Sequence, residues 1–250
     1  MPVKKKTNKA PGSGMTAKQM KRRKPISQEY MLPIEPLTDN QKVMFDEWDK
    51  GKMVYAYGVA GTGKTFVALY KALKEVLDDY SPYEKIYIVR SLVATREIGF
   101  LPGDHEDKSS LYQIPYKNMV QGMFQMPDDN SYEMLYDNLK AQETISFWST
   151  SFIRGTTLDN AIVIIDECQN LNFHELDSII TRVGQDSKII FCGDAAQTDL
   201  IKNNERTGIL DFQKIIMNME EFAMIEFGIE DIVRSGLVKS YLISKLNLGL

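Results

Sequence analysis

Residues Gly58 to Thr65 read Gly-Val-Ala-Gly-Thr-Gly-Lys-Thr, which fits the spacing G-x-x-x-x-G-K-[ST]. That pattern wraps the phosphates of a nucleotide in converging backbone N–H groups. Gly58, Gly61 and Gly63 give the chain the backbone freedom this convergence needs. Lys64 supplies a point charge for the β- and γ-phosphates, and Thr65 a hydroxyl ligand for Mg²⁺. The candidate nucleotide-binding set is therefore Gly58, Val59, Ala60, Gly61, Thr62, Gly63, Lys64, Thr65 and Phe66. A second cluster lies about 100 residues on, where Ile162 to Ile165 run into Asp166 and Glu167. An acid at the end of a buried strand sits at the carboxyl edge of a sheet, beside such a loop. Asp166 is then placed to hold Mg²⁺ through a water, and Glu167 to polarise an attacking water as general base. A third run, Phe191 to Asp194 followed by Gln197, offers a carboxylate and an amide at the same edge, the amide a candidate to sense the γ-phosphate or hold the water.

These residues need strands that end, and helices that begin, at one edge. Met53 to Tyr57 are apolar and β-favouring before the loop. After it, Phe66, Leu69, Tyr70, Leu73, Val76 and Leu77 follow the spacing of one helix face. Thr38-Asp39 before Gln41 to Trp48 reads as a capped short helix. Further apolar runs at 85–90, 144–148, 161–165, 188–192 and 222–227 alternate with helical stretches. Near-continuous apolar strands of this kind predict a parallel sheet covered on both faces, an α/β three-layer sandwich. Residues 101 to 142 read as an insertion between two strands, partly helical from Tyr112 to Met126.

The 250 residues carry a formal net charge of −4. The first 30 hold nine Lys/Arg against Glu29 alone, a balance of +8 that leaves −12 on the rest. Residues 1–34 are therefore expected to be a basic, disordered tail, and 35–250 a folded domain. Such a tail is suited to a polyanion or to the acidic body itself, or is a solvated arm with no partner. Cys168 and Cys192 give neither a disulfide framework nor a metal-ligand spacing, and read as buried thiols. With no apolar run long enough to span a bilayer and no signal-peptide pattern, the expected setting is cytoplasmic, without membrane contact.

Asp166-Glu167-Cys168-Gln169-Asn170, Gly193-Asp194-Ala195-Ala196-Gln197 and the phosphate loop resemble three motifs of superfamily 1 helicases, and specifically those of the PhoH-like ATPases. The resemblance extends through Arg96 to Asp104, Lys108, Arg154 to Leu158, Thr181 to Gly184 and Asp231 to Arg234, covering about residues 35–240. It implies a single RecA-like P-loop core that hydrolyses ATP with Mg²⁺, and RNA or single-stranded nucleic acid as a partner. It also implies a homo-oligomeric ring, with a hexamer as the family expectation. Arg234 is the implied cation at the γ-phosphate, acting in cis, or in trans from a neighbouring subunit of the ring. Mixing Arg234→Ala with Lys64→Ala subunits is expected to restore activity in the second case. Gln41 resembles the helicase glutamine that reads the adenine edge. Three positions depart from the family pattern: Cys168 replaces an alanine, Ser235 a histidine, and Thr156 an arginine. The last removes a charge from a nucleic-acid or phosphate contact. Arg90, Arg96, Lys108, Arg154 and Arg182 are the residues expected to line a local basic groove.

Two other classes share the phosphate loop. A small-molecule kinase would not need an acid pair followed by Gly-Asp-x-x-Gln. A nucleotide-gated regulatory protein of negligible turnover would not need Glu167 and Gln197.

Overall fold

The computed structural model describes residues 26–90, 105–153, 155–194 and 203–248. Six strands form one sheet: β1 (Met53–Gly58), β2 (Lys85–Arg90), β3 (Ile145–Trp148), β4 (Ala161–Asp166), β5 (Lys188–Cys192) and β6 (Phe222–Phe227). Their order is β3-β2-β4-β5-β1-β6, and every pairing is parallel. Helix α1 (Asp39–Asp49) precedes β1; the crossovers that parallel neighbours require run through α2 (Lys64–Val76), α3 (His105–Gln121), α4 (Asp129–Ala141), α5 (Thr150–Ile153), α6 (Phe173–Ile180) and α7 (Asn203–Met217), and α8 (Gly236–Asn247) follows β6.

Strand alternation divides the interior into two cores. Val54, Ala56, Ile86, Ile88, Ile162, Ile164 and Ile190 face α1 to α4. Tyr55, Val89, Val163, Ile165, Ile189 and Phe191 face α6 and α7. The three-layer sandwich expected from the apolar runs is the observed architecture. All six residues of β4 are buried, with strands on both sides. Each buried aliphatic side chain there contributes about 1.5–3 kcal/mol of transfer free energy. That is how an acid comes to stand at the end of so apolar a strand: Asp166 is the point where β4 leaves the core.

Two boundaries differ from expectation. Ile26 is buried in the first core, Met31 bridges Phe124, and the Leu32 N–H donates to the Met123 carbonyl. The stretch 26–34 is thus packed on the domain instead of belonging to the tail; residues 1–25 lie outside the described residues. The insertion helix begins at His105, not Tyr112, ends at Gln121, and carries Pro115 inside it. A second helix, α4, follows. Asp128 is its N-cap, accepting a hydrogen bond from the Ser131 N–H at 2.7 Å.

Candidate nucleotide site

The phosphate loop joins β1 to α2, with Gly58, Gly61 and Gly63 at φ of 119°, 77° and 84°. Gly58 has a second reason to be glycine. A Cβ there would stand 2.2 Å from the Phe227 carbonyl oxygen of the paired strand β6. Gly63 caps α2 without any side-chain hydrogen bond, so the first-turn N–H groups of a 13-residue helix point into the site uncapped. Lys64 is 8% exposed, and its Nζ donates to the carbonyls of Val59 at 2.7 Å and Gly58 at 3.3 Å and to Thr62 Oγ1 at 3.2 Å. Burial holds its pKa below the ordinary lysine value, opposed by the nearby charge of Asp194.

Thr65 and Asp166 meet across two strand positions, because β5 runs between β1 and β4. Thr65 Oγ1 donates to Asp166 Oδ1 at 2.7 Å. Among the described residues no cluster of three or more His, Cys, Asp or Glu could hold a metal ion. The pair Thr65 and Asp166 nevertheless fits Mg²⁺. One hydroxyl and one carboxylate are hard oxygen donors, and this ion keeps several waters and takes its remaining ligands from phosphate oxygens.

Glu167 follows at φ 52°, a left-handed conformation rare for a side chain with a Cβ. It turns the chain out of β4 and into the cavity. Burial, and then the neighbouring charge of Asp166, raise its pKa above the usual glutamate value. Its Oε2 accepts from Gln169 Nε2 at 2.5 Å, while Gln169 Oε1 accepts from the Asp194 N–H at 3.0 Å. Gln169, 2% exposed, thereby ties the end of β4 to the end of β5.

A cavity of about 330 Å³ collects Ala60 to Phe66, Asp166, Glu167, Gly193, Asp194 and Arg234. This lies within the range of small-molecule sites. Arg234 belongs to the same chain as the loop it approaches: a Cβ on Gly61 would lie 2.9 Å from Arg234 Cγ. Gln41 is buried beneath the loop. Its Nε2 donates to the Thr62 carbonyl at 2.8 Å, and its Oε1 accepts from the Leu37 N–H at 2.8 Å. One end of the amide therefore braces the loop, and the other ties the glutamine to the segment before α1. Gln197 lies outside the described residues, as do Arg96 and Arg154.

Three contributors carry no motif signature. Arg90, expected in a local basic groove, ends β2 in register with Asp166 and lines the cavity. Pro115 and Tyr116 of α3 form another wall. Only the position of Arg90 at the end of an apolar run could have signalled its place. Both cysteines are buried free thiols, and burial pushes the pKa of Cys168 up to about 12.

The sequence model of the family described as "PhoH-like protein" matches residues 33–244. The chain is 31% identical over 206 residues to a PhoH-like protein of Mycobacterium leprae, covering 82% of this chain and 56% of that protein. It is 33% identical over 214 residues to a PhoH-like protein of Bacillus subtilis, with coverage of 82% and 61%. It thus spans less than two thirds of the length of these curated relatives. Among solved structures, the large terminase of a thermophilic bacteriophage aligns at TM-score 0.48 and 12% identity over 83% of this chain and 50% of that one. The Pif1 helicase of Candida albicans aligns at 0.40 and 14% over 86% and 44%.

Proposed function

Because the chain belongs to the PhoH-like protein family, we propose that it is a Mg²⁺-dependent ATPase whose turnover is coupled to RNA or single-stranded DNA. The observation that carries the hydrolytic reading is the 2.7 Å contact between Thr65 and Asp166, made beside an uncapped helix N-terminus and a half-buried Glu167 whose pKa is raised. The first-turn N–H groups of α2 and Lys64 bind the polyphosphate. Thr65 and Asp166 hold Mg²⁺, which when bound neutralises charge developing on the phosphate oxygens. Glu167, held in place by Gln169, takes a proton from the attacking water. Gln197 holds that water or senses the γ-phosphate. Arg234 meets the γ-phosphate in cis, a reading supported by its contact with Gly61 of its own chain. Gln41 acts by bracing the loop, a reading supported by its hydrogen bond to the Thr62 carbonyl.

A nucleic-acid partner is supported by the +8 charge of the first 30 residues. A ring of identical subunits is supported by α8, on which Leu237 and Tyr241 are 84% and 66% exposed and no residue is buried. Among the described residues no helix is long and apolar enough to cross a membrane.

The test is phosphate release from ATP with Mg²⁺, with and without RNA, in the unsubstituted chain and in Lys64→Ala. Loss of the lysine is expected to lower turnover on the order of 10²-fold or more and to weaken ATP binding. Undiminished turnover in Lys64→Ala would remove the loop from the mechanism. ATP binding without phosphate release, RNA present or not, would instead establish a nucleotide-gated regulator.

A further inference from the structure

Tyr116 belongs to neither the phosphate loop nor β4, yet it reaches the metal-side carboxylate. Its hydroxyl donates to Asp166 Oδ2 at 2.5 Å, while Asp166 Oδ1 accepts from Thr65. The two oxygens of one carboxylate are therefore held by two different elements: the phosphate-loop helix α2 and the insertion helix α3. The ring of Tyr116 is 2% exposed and packs on Phe147 with centroids 5.3 Å apart. Phenylalanine would fill that space equally well. A buried hydroxyl without a partner costs about 1–3 kcal/mol, so its presence is explained by the acceptor it meets. A phenol keeps its proton at neutral pH, so the hydroxyl is the donor in this contact. Pro115 and Met119 of α3 line the same cavity.

We infer that Tyr116 is a positioning residue for the Mg²⁺-holding carboxylate of Asp166, and that through this contact the connection between β2 and β3 responds to Mg²⁺ and nucleotide. The inference rests on the proposed ATP site. A carboxylate that accepts a charge-assisted hydrogen bond on one oxygen is fixed in rotation, which presents the other oxygen to the loop hydroxyl and the cation. Groups that orient a metal-side ligand in this way are typically worth 10- to 100-fold in metal affinity.

The experiment titrates Mg²⁺ against the protein with a fluorescent, non-hydrolysable ATP analogue, in the unsubstituted chain and in Tyr116→Phe, each with an EDTA baseline. The metal-free affinity for the analogue is expected to stay within about twofold, and the Mg²⁺ midpoint to rise roughly 10- to 100-fold. Amide hydrogen exchange supplies the second readout. Residues 105–121 of the unsubstituted chain are expected to exchange more slowly with Mg²⁺ and analogue than with analogue and EDTA, and Tyr116→Phe to lose that difference. An unchanged Mg²⁺ midpoint together with unchanged exchange would overturn the inference. Should the variant fail to fold, exchange in the unsubstituted chain decides: no Mg²⁺-dependent slowing across 105–121 would overturn it. Failure of the unsubstituted chain to bind the analogue would overturn the ATP reading itself, whereas binding with no response at Tyr116 would overturn this inference alone.

Discussion

Asn40 Nδ2 donates to Asp231 Oδ2 at 2.7 Å, joining residues 191 positions apart in the chain. The same oxygen accepts from the Gly228 N–H at 2.8 Å. Asn40 precedes Gln41, which underlies Gly63, and Asp231 lies three residues before Arg234, which covers Gly61. One carboxylate therefore sets the spacing of the two side chains that enclose the phosphate loop. Asp231→Ala leaves both donors without their acceptor, at a cost of about 1–3 kcal/mol. Turnover is expected to fall more than nucleotide affinity, because the arginine segment loses its anchor while the loop keeps its own backbone. Thermal melts together with kcat and nucleotide Kd check this; an unaltered kcat in a destabilised protein would reduce Asp231 to a purely structural role.

Glu167→Gln separates chemistry from binding. The amide keeps the size and spares Asp166, so ATP should be retained while hydrolysis slows by roughly 10² to 10⁴. Stability should move the other way. A carboxyl whose pKa is raised on folding stabilises the fold fully below its unfolded pKa, and that contribution is lost as pH rises through the folded value. The nucleotide-free variant should therefore melt above the unsubstituted protein at neutral pH, and the gap should close as pH falls below the ordinary glutamate range. Melting curves across pH decide; a gap that does not depend on pH would remove burial of the charge as its cause.

Gly58 and Gly61 should respond differently to alanine. At Gly58 the new Cβ meets the backbone oxygen of Phe227 at 2.2 Å, and β1 and β6 cannot both keep their register. A loss of about 3 kcal/mol or more is expected, combining the left-handed backbone with the clash. At Gly61 the contact is the Arg234 side chain at 2.9 Å, which can move. Gly61→Ala should remain folded and lose turnover. Equal destabilisation of the two variants by denaturant titration would contradict this.

Arg234→Ala should fold and bind ATP but hydrolyse it poorly, since a cation at the γ-phosphate is worth roughly 10³ to 10⁵ in rate. In a ring working in trans, mixing this variant with Lys64→Ala would rescue activity. The placement of Arg234 on its own loop predicts no rescue, because each site needs both residues from one chain. Recovered turnover after verified subunit exchange would return the arginine to its neighbour.

Truncation should stop at residue 25, since Ile26 is part of the core. Residues 1–25 carry all nine of the basic groups counted in the tail. Their removal should leave basal hydrolysis intact and flatten the salt dependence of single-strand binding, by up to about six in log–log slope. An unchanged slope would show that the nucleic acid is held elsewhere.

What could be read from the residues alone follows a physical division. The strands were legible because parallel sheets bury both faces, so β1, β4 and β5 read as continuous apolar runs. The loop and the Asp166–Glu167 pair were legible as candidates because their residue types and spacing are local to the chain, and the fold brings Thr65 to Asp166. Helix α3 was misread at its start because a proline four residues into the reading is typical of a first turn; the helix instead runs through Pro115, which stands on an exposed stretch and gives up one backbone bond. Tyr116 and Arg90 were illegible as site residues. Neither differs locally from any other tyrosine or arginine, and only the strand order brings β2 beside β4. The bracing role of Gln41 was hidden for the same reason, since its partner Thr62 is 21 residues distant.

The two cores meet the nucleotide site from opposite sides of the sheet. Thr65 opens a helix rooted in the first core, whereas Cys168 and Leu171, just beyond Glu167, are anchored in the second. A ligand gripped by both is a rivet through the sheet, and its binding free energy is shared by layers that otherwise touch only through β-strands. Loss of the ligand would loosen the two halves together, giving a single melting step whose midpoint climbs with the logarithm of ligand concentration.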